Sequence, residues 1–205
     1  TAAFLSIASL VGAAGYMAQR TSKQVEQQME VLSRSAIVKV ADTMEITVAL
    51  YASQLASHTL MVATRSGQAG DEPARAAARH GPVAERLQAV DAGLDRQRLA
   101  AESLIRWATG EGLAEIVERE TNQTLPLLER LEEEFTQHRR LQEEFAALLS
   151  ENVEQAERFL NLELCRHAET HLLPLLAEYR RRAEKELTGG IRTTERAMVL
   201  SLIHI

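Results

Sequence analysis

The first 19 residues of this chain (TAAFLSIASLVGAAGYMAQ) carry no charge, whereas the residues after them are densely charged and show no strand pattern. At about 1.5 Å per residue that opening stretch just crosses a hydrocarbon core of roughly 30 Å, and Tyr16 falls where an interfacial aromatic belt would put a ring. It reads as a transmembrane helix trimmed at its N-terminus. A cleaved secretory signal is the alternative, because Ala13, Ala14 and Ala18 are the small residues a cleavage site uses. Continuity through Arg20, Lys23 and Gln24 into a helical pattern favours the uncut span. Arg20 and Lys23 lie on the wrong flank for an N-terminus held inside, so the visible charges leave the topology open.

Composition bounds the fold of the remaining residues. Of 205 residues 25% are charged and only 4% aromatic, with abundant Ala, Leu, Glu, Arg and Gln, the mixture of long helices. The fold class is therefore all-α. A single cysteine, Cys165, excludes an intrachain disulfide and any paired-cysteine metal motif. The net charge of -6 and the lack of a basic stripe with interleaved aromatics argue against nucleic acid as a partner.

Periodicity then divides the chain. Val25, Met29, Leu32, Ala36, Val40, Met44, Val48, Tyr51, Leu55, His58 and Val62 recur at three- and four-residue steps and share one helical face, which is expected to be buried. The run 66–83, with three Gly and two Pro, reads as a loop holding at most a short helical turn at 74–79. A second helix over 83–108 is stopped by Gly110 and Gly112, and a third begins at Leu113 with a kink or break expected before Pro126. No local signal marks where the third helix turns back. A first helix of about 47 residues leaving the membrane implies a last helix of equal length returning to it, which puts the turn near Ser150 and Asn152, both acceptable caps. The result is an antiparallel four-helix bundle of long helices, roughly 20–66, 83–109, 113–149 and 151–197, with the first continuous with the span. The rival is one unbroken helix over 127–187. Pro174 bends the last helix or is ordinary irregularity, and Gly189 with Gly190 loosen or end it.

The chain thus divides into a span at 1–19, an extracytoplasmic helical domain at 20–197, and 198–205 as the start of a second span. Within the last piece, LSLIHI at 200–205 resembles the translated transposon adaptor of shotgun sequencing libraries, which makes those six residues a scar.

Two membrane-proximal ends joined to one helical bundle resemble the sensor region of bacterial transmembrane receptors, the chemoreceptors and sensor histidine kinases. That resemblance rests on architecture. It implies a homodimer in the inner membrane with its soluble part periplasmic, meeting lipid through its spans and binding a small molecule or a periplasmic binding protein. Signal transduction would follow from displacement of the first helix against the last. The alternative function is a membrane-anchored coiled-coil scaffold without a sensing role. An enzyme is not expected, since no Gly-rich phosphate loop, nucleophile elbow or paired-carboxylate motif is present.

Histidines are the candidates for site chemistry. His58 and His138 fall on apolar seams at similar distances from the membrane, about 38 and 36 residues, so they can face each other and sense pH. His167 and His171 lie one turn apart with Glu163 a turn earlier. His58, His138, His167 and His171 are the candidate metal or haem ligands, although satisfied seam histidines with no cofactor are the simpler reading. The segments EEEFTQHRRLQ and CRHAETHLLPLL resemble the helices of hemerythrin-type cation-binding bundles, with His138, His167 and His171 at matching places; the remaining ligands of such a site are missing. Arg180, Arg181 and Arg182 form a basic run suited to lipid headgroups, an anionic ligand or solvent.

Overall fold

The computed structural model describes residues 35–66 and 72–203, together with positions 19, 22, 23, 25–27 and 29–31; for 72–80, 82, 193, 197, 198 and 200–203 only the backbone is described. All but the last residue of the expected span at 1–19 lies outside these. Among the described residues the chain is helical and holds no strand, in agreement with an all-α class.

Helix α1 is Ile37–Arg65 and α2 is Glu72–Gly110. Helix α3 covers 114–151, α-helical over Ala114–Arg119 and Leu125–Glu151 with a π-helical turn, Glu120–Thr124, between them. Helix α4 covers 153–203, with π-helical segments at Leu160–Cys165 and Ala168–Leu172 between Val153–Phe159 and Leu173–Ile203.

Local chemistry explains most of these boundaries. Gly112 ends α2 with φ +69, a conformation that glycine adopts without strain. The Leu113 N–H then donates to the Ala108 carbonyl at 2.8 Å and the Gly112 N–H to Thr109 at 3.2 Å, the two bonds of a Schellman cap. Asn152 breaks the chain between α3 and α4 with extended backbone (φ -151, ψ 103), and its side chain accepts from the Gln155 N–H at 3.0 Å. This cap excludes an unbroken helix over 127–187.

The loop expected at 66–83 is mostly helix, because α2 already starts at Glu72. Pro73 stands in the first turn, where an N–H has no partner to lose, and Ala74, Ala76, Ala77 and Ala78 favour helix strongly. Gly81 and Pro82 lie inside α2, so local breakers were overruled there. The glycine pair Gly189 and Gly190 likewise falls inside α4. Pro126 and Pro174 do not end their helices either. Each comes two residues after a π-helical segment, Glu120–Thr124 or Ala168–Leu172, whose wider turn accommodates the ring and the lost N–H.

The core is shared by all four helices. Ile46 and Leu50 of α1 pack with Val90 and Leu94 of α2, Leu128, Leu131 and Phe135 of α3, and Leu172, Leu176 and Tyr179 of α4. A second cluster joins Leu60 and Met61 to Phe145, Leu149, Leu160 and Leu164. Polar contacts register the helices. Lys39 meets Glu186 at 3.1 Å and Arg65 meets Glu157 at 2.9 Å, so α4 runs back along α1. Asp91 pairs with Arg139 and Arg98 with Glu132, so α3 runs back along α2.

One sequence expectation is inverted. Of the seam assigned to the core, Met29, Met44, Val48, Tyr51, Leu55 and Val62 are each at least half exposed. The buried stripe of α1 is instead Lys39, Thr43, Ile46, Leu50, Ser53, Ser57 and Leu60. Both stripes run in alternating steps of three and four residues, and a two-residue offset puts them about 200° apart, on opposite faces.

Candidate functional site: a histidine stack, a buried ion cluster and two cavities

Three of the four candidate histidines come together. His138 on α3 stacks on His167 of α4 with centroids 5.7 Å apart, and His167 stacks on His171 at 5.0 Å. Glu134, one turn before His138, meets His167 Nε2 at 3.1 Å and His171 Nδ1 at 3.7 Å. His58 stands apart from the stack, its Nε2 3.5 Å from Cys165 Sγ, so the expected pairing of His58 with His138 gives way to His58–Cys165 and His138–His167 contacts.

The stack has defined chemistry. His138 is fully buried and neither ring nitrogen has a hydrogen-bond partner. Burial, and secondarily the neighbouring His167, lower its pKa to about 4, so the ring is neutral in the folded protein. Burial lowers His167 as well, against the opposing pull of Glu134. Burial, aided by Glu169, raises the Cys165 thiol, which disfavours a reactive thiolate. Imidazole lone pairs lie in the ring plane, and rings stacked at interplanar angles of 24° and 19° do not aim them at one point. No group of three or more His, Cys, Asp or Glu among the described residues is arranged to hold a metal ion.

The sequence pattern concealed a second constellation. Lys39 Nζ lies 2.9 Å from both carboxylate oxygens of Glu120, with the two side chains 3% and 0% exposed. Glu186 completes the lysine's contacts, and Arg119 bridges Glu186 at 3.2 Å and Glu120 at 3.3 Å. Two cations thus face two carboxylates, which satisfies charges that would be costly to bury alone. The π-turn starting at Glu120 brings that carboxylate inward. Beside the cluster, Tyr179 donates to Gln97 Oε1 at 2.6 Å, and Gln97 Nε2 donates to Asp42 at 3.0 Å. Burial and then the nearby carboxylates of Glu120, Glu186 and Asp42 push the Tyr179 phenol far up. The one available sequence signal was a heptad spacing shared by Lys39, Thr43, Ile46, Leu50, Ser53 and Ser57, which a search for apolar stripes passes over.

Two cavities differ in chemistry. One of about 580 Å³ adjoins the ion cluster and is lined by Arg119, Arg181, Arg182 and Lys185 with Glu186 as its acidic group. Arg182 is engaged by Glu178 and by the Gln123 carbonyl. The other, about 520 Å³, opens between α1, α2 and α3 and has apolar walls from Leu60, Val83, Leu87 and Phe145. Among the described residues α1 is also the helix long and apolar enough to cross a membrane, a test that the core helix of a soluble domain passes equally.

Compared with protein-family models, with curated proteins and with solved structures, the chain matches none.

Proposed function

We propose that the chain is the input portion of a bacterial transmembrane signalling receptor of chemoreceptor or sensor-histidine-kinase type. In this reading the span at 1–19 leads into an antiparallel four-helix bundle outside the cytoplasm, and the chain returns to the inner membrane near 197. The observation that carries it is the antiparallel pairing of α4 along α1. Lys39–Glu186 near the start of α1 and Arg65–Glu157 at its end put the start of α1 beside the C-terminal part of α4, which continues 17 residues past Glu186 to Ile203. Two stiff helices so placed deliver a sliding or tilting displacement to whatever they are joined to, provided a ligand prefers one packing over another.

The outer stripe of α1 supports a homodimer. Met44, Val48, Tyr51, Leu55 and Val62 form an exposed apolar heptad seam of the kind that two parallel copies bury between them. The same seam also suits a coiled-coil scaffold, which would show no change in α1–α4 packing on binding a small molecule.

Sidedness tests the reading. Ser150 is exposed at the turn between α3 and α4, at the end of the molecule remote from Lys39–Glu186. With Cys165→Ser as background, Ser150→Cys should react with a membrane-impermeant maleimide in intact spheroplasts. Labelling only after the membrane is opened would exclude an extracytoplasmic domain.

A further inference from the structure

We infer that the basic cavity beside the ion cluster is a binding site for a phosphate monoester dianion. Around it, Lys39 and Arg119 face Glu120 and Glu186, and Arg182 faces Glu178. Two lining cations are left over. Arg181 and Lys185 are exposed, stand one helical turn apart on α4, and meet no carboxylate or hydrogen-bond partner among the described residues. Both side chains are long and untethered, so their charged ends are free to turn into the cavity. In a chain of net charge -6 this local excess of positive charge selects an anion.

Charge and a hydroxyl set the class of that anion. A carboxylate or a sulfate ester carries one charge and leaves one of the two cations unmatched, whereas a phosphate monoester carries close to two on a single group with three acceptor oxygens. A guanidinium fork and an ammonium together suit such a group. Thr124 adds a donor from α3. It lines the cavity, is 6% exposed, and has no hydrogen-bond partner for its hydroxyl among the described residues. Threonines in regular turns, such as Thr136 and Thr170, donate to the carbonyl four residues back, but Thr124 closes the π-helical turn and makes no such bond. Unlike Gln142 Nε2 and the His138 nitrogens, its oxygen is not sealed from solvent. The volume of about 580 Å³ lies in the range of small-molecule pockets and leaves room for the ester's organic part.

Binding at this site is independent of the receptor reading. Its use as the input signal rests on that reading, and Arg119 and Glu186 supply the link, because they belong both to the cavity and to the cluster that holds α4 on α1. The test uses the full chain in phosphatidylcholine nanodiscs at about pH 8, dialysed to equilibrium against empty nanodiscs with 2-naphthyl phosphate, 2-naphthyl sulfate or 2-naphthoate as probe. The phosphate should bind about tenfold tighter than either monoanion, the worth of roughly one charge-assisted hydrogen bond. Arg181→Gln and Lys185→Gln should each weaken phosphate binding about tenfold with Tm unchanged, and Thr124→Val about threefold. Arg180→Gln removes the same charge from an exposed neighbour that Glu184 already engages, and should change binding less than about twofold. Absence of binding, equal binding of the three probes, or an equal loss from Arg180→Gln would overturn the assignment. The ester can be soluble or a lipid headgroup. At about 1.5 Å per residue Lys185 lies roughly 18 Å before the proposed return to the membrane near 197, so phosphatidic acid in the nanodiscs should displace the probe no more than phosphatidylglycerol does. Greater displacement would keep the phosphate site and make the ester a lipid headgroup. Sidedness and dimerisation would be unaffected by failure of the site.

Discussion

Helix α1 presents Lys39, Thr43, Ser53 and Ser57 to the protein interior beside Ile46, Leu50 and Leu60, and presents Met44, Val48, Tyr51, Leu55 and Val62 outward. The more apolar of its two heptad stripes thus faces away from the core. Polar side chains are tolerated inside because each meets a specific partner: Glu120 and Glu186 for Lys39, Gln142 for Ser57, and carbonyls one turn back for Thr43 and Ser57. Exposed apolar groups at this spacing would gain from a matching surface, which in the proposed homodimer is a second α1.

The difference between the faces can be broken from the inside first. Lys39→Ala leaves the buried Glu120 and the partly buried Glu186 with Arg119 as their remaining ion-pair partner among the described residues, and should cost about 3–5 kcal/mol in chemical denaturation. A loss under 1 kcal/mol would mean that the cluster does not anchor the inner face.

The histidine stack offers a contrast, a polar site held neutral instead of charged. The His138 pKa falls from 6.5 in the unfolded chain to about 4 when folded, so the unfolded state binds more protons between those values. The stability linked to this group is complete above pH 6.5 and is lost as pH falls toward 4, on the order of 3 kcal/mol. His138→Leu should flatten that part of the stability profile and leave the contribution of His167. An unchanged slope would refute the linkage.

Gly93 tests how closely the inner face is packed. A Cβ there would lie 2.5 Å from Ile46 Cγ1, and Ile46 is itself buried. Gly93→Ala should therefore destabilise by roughly 1–3 kcal/mol, overriding the helix-propensity gain of about 1 kcal/mol. Leu55→Ala on the outer face, at a position 69% exposed, should change the unfolding of dissociated chains by less than about 0.5 kcal/mol.

The all-helical class was legible because charge-rich helical periodicity without β-branched alternation has few other outcomes. The turn at Asn152 carried no local signal of its own and was reached only by matching the lengths of the first and last helices, whereas the stop at Gly112 was legible for a local reason, a glycine at a left-handed position. The orientation of α1 was not. Apolarity marks a stripe that avoids water without saying what covers it, and the polar stripe became the core face only through long-range partners 81 to 147 residues away. The extent of α2 was hidden because Gly81 and Pro82 are breakers in isolation. Periodicity singled out His138, His167 and His171, but the stacking that turns their lone pairs away from a common point is tertiary information.

The opposition of the two faces is tested most directly by cysteine cross-linking of the full chain in membranes. Val48→Cys and Leu55→Cys, each in the Cys165→Ser background, should form disulfide-linked dimers on mild oxidation, while Glu133→Cys on the exposed surface of α3 should not. Cross-linking at Val48 and Leu55 no greater than at Glu133 would contradict an outer face built to meet a second copy.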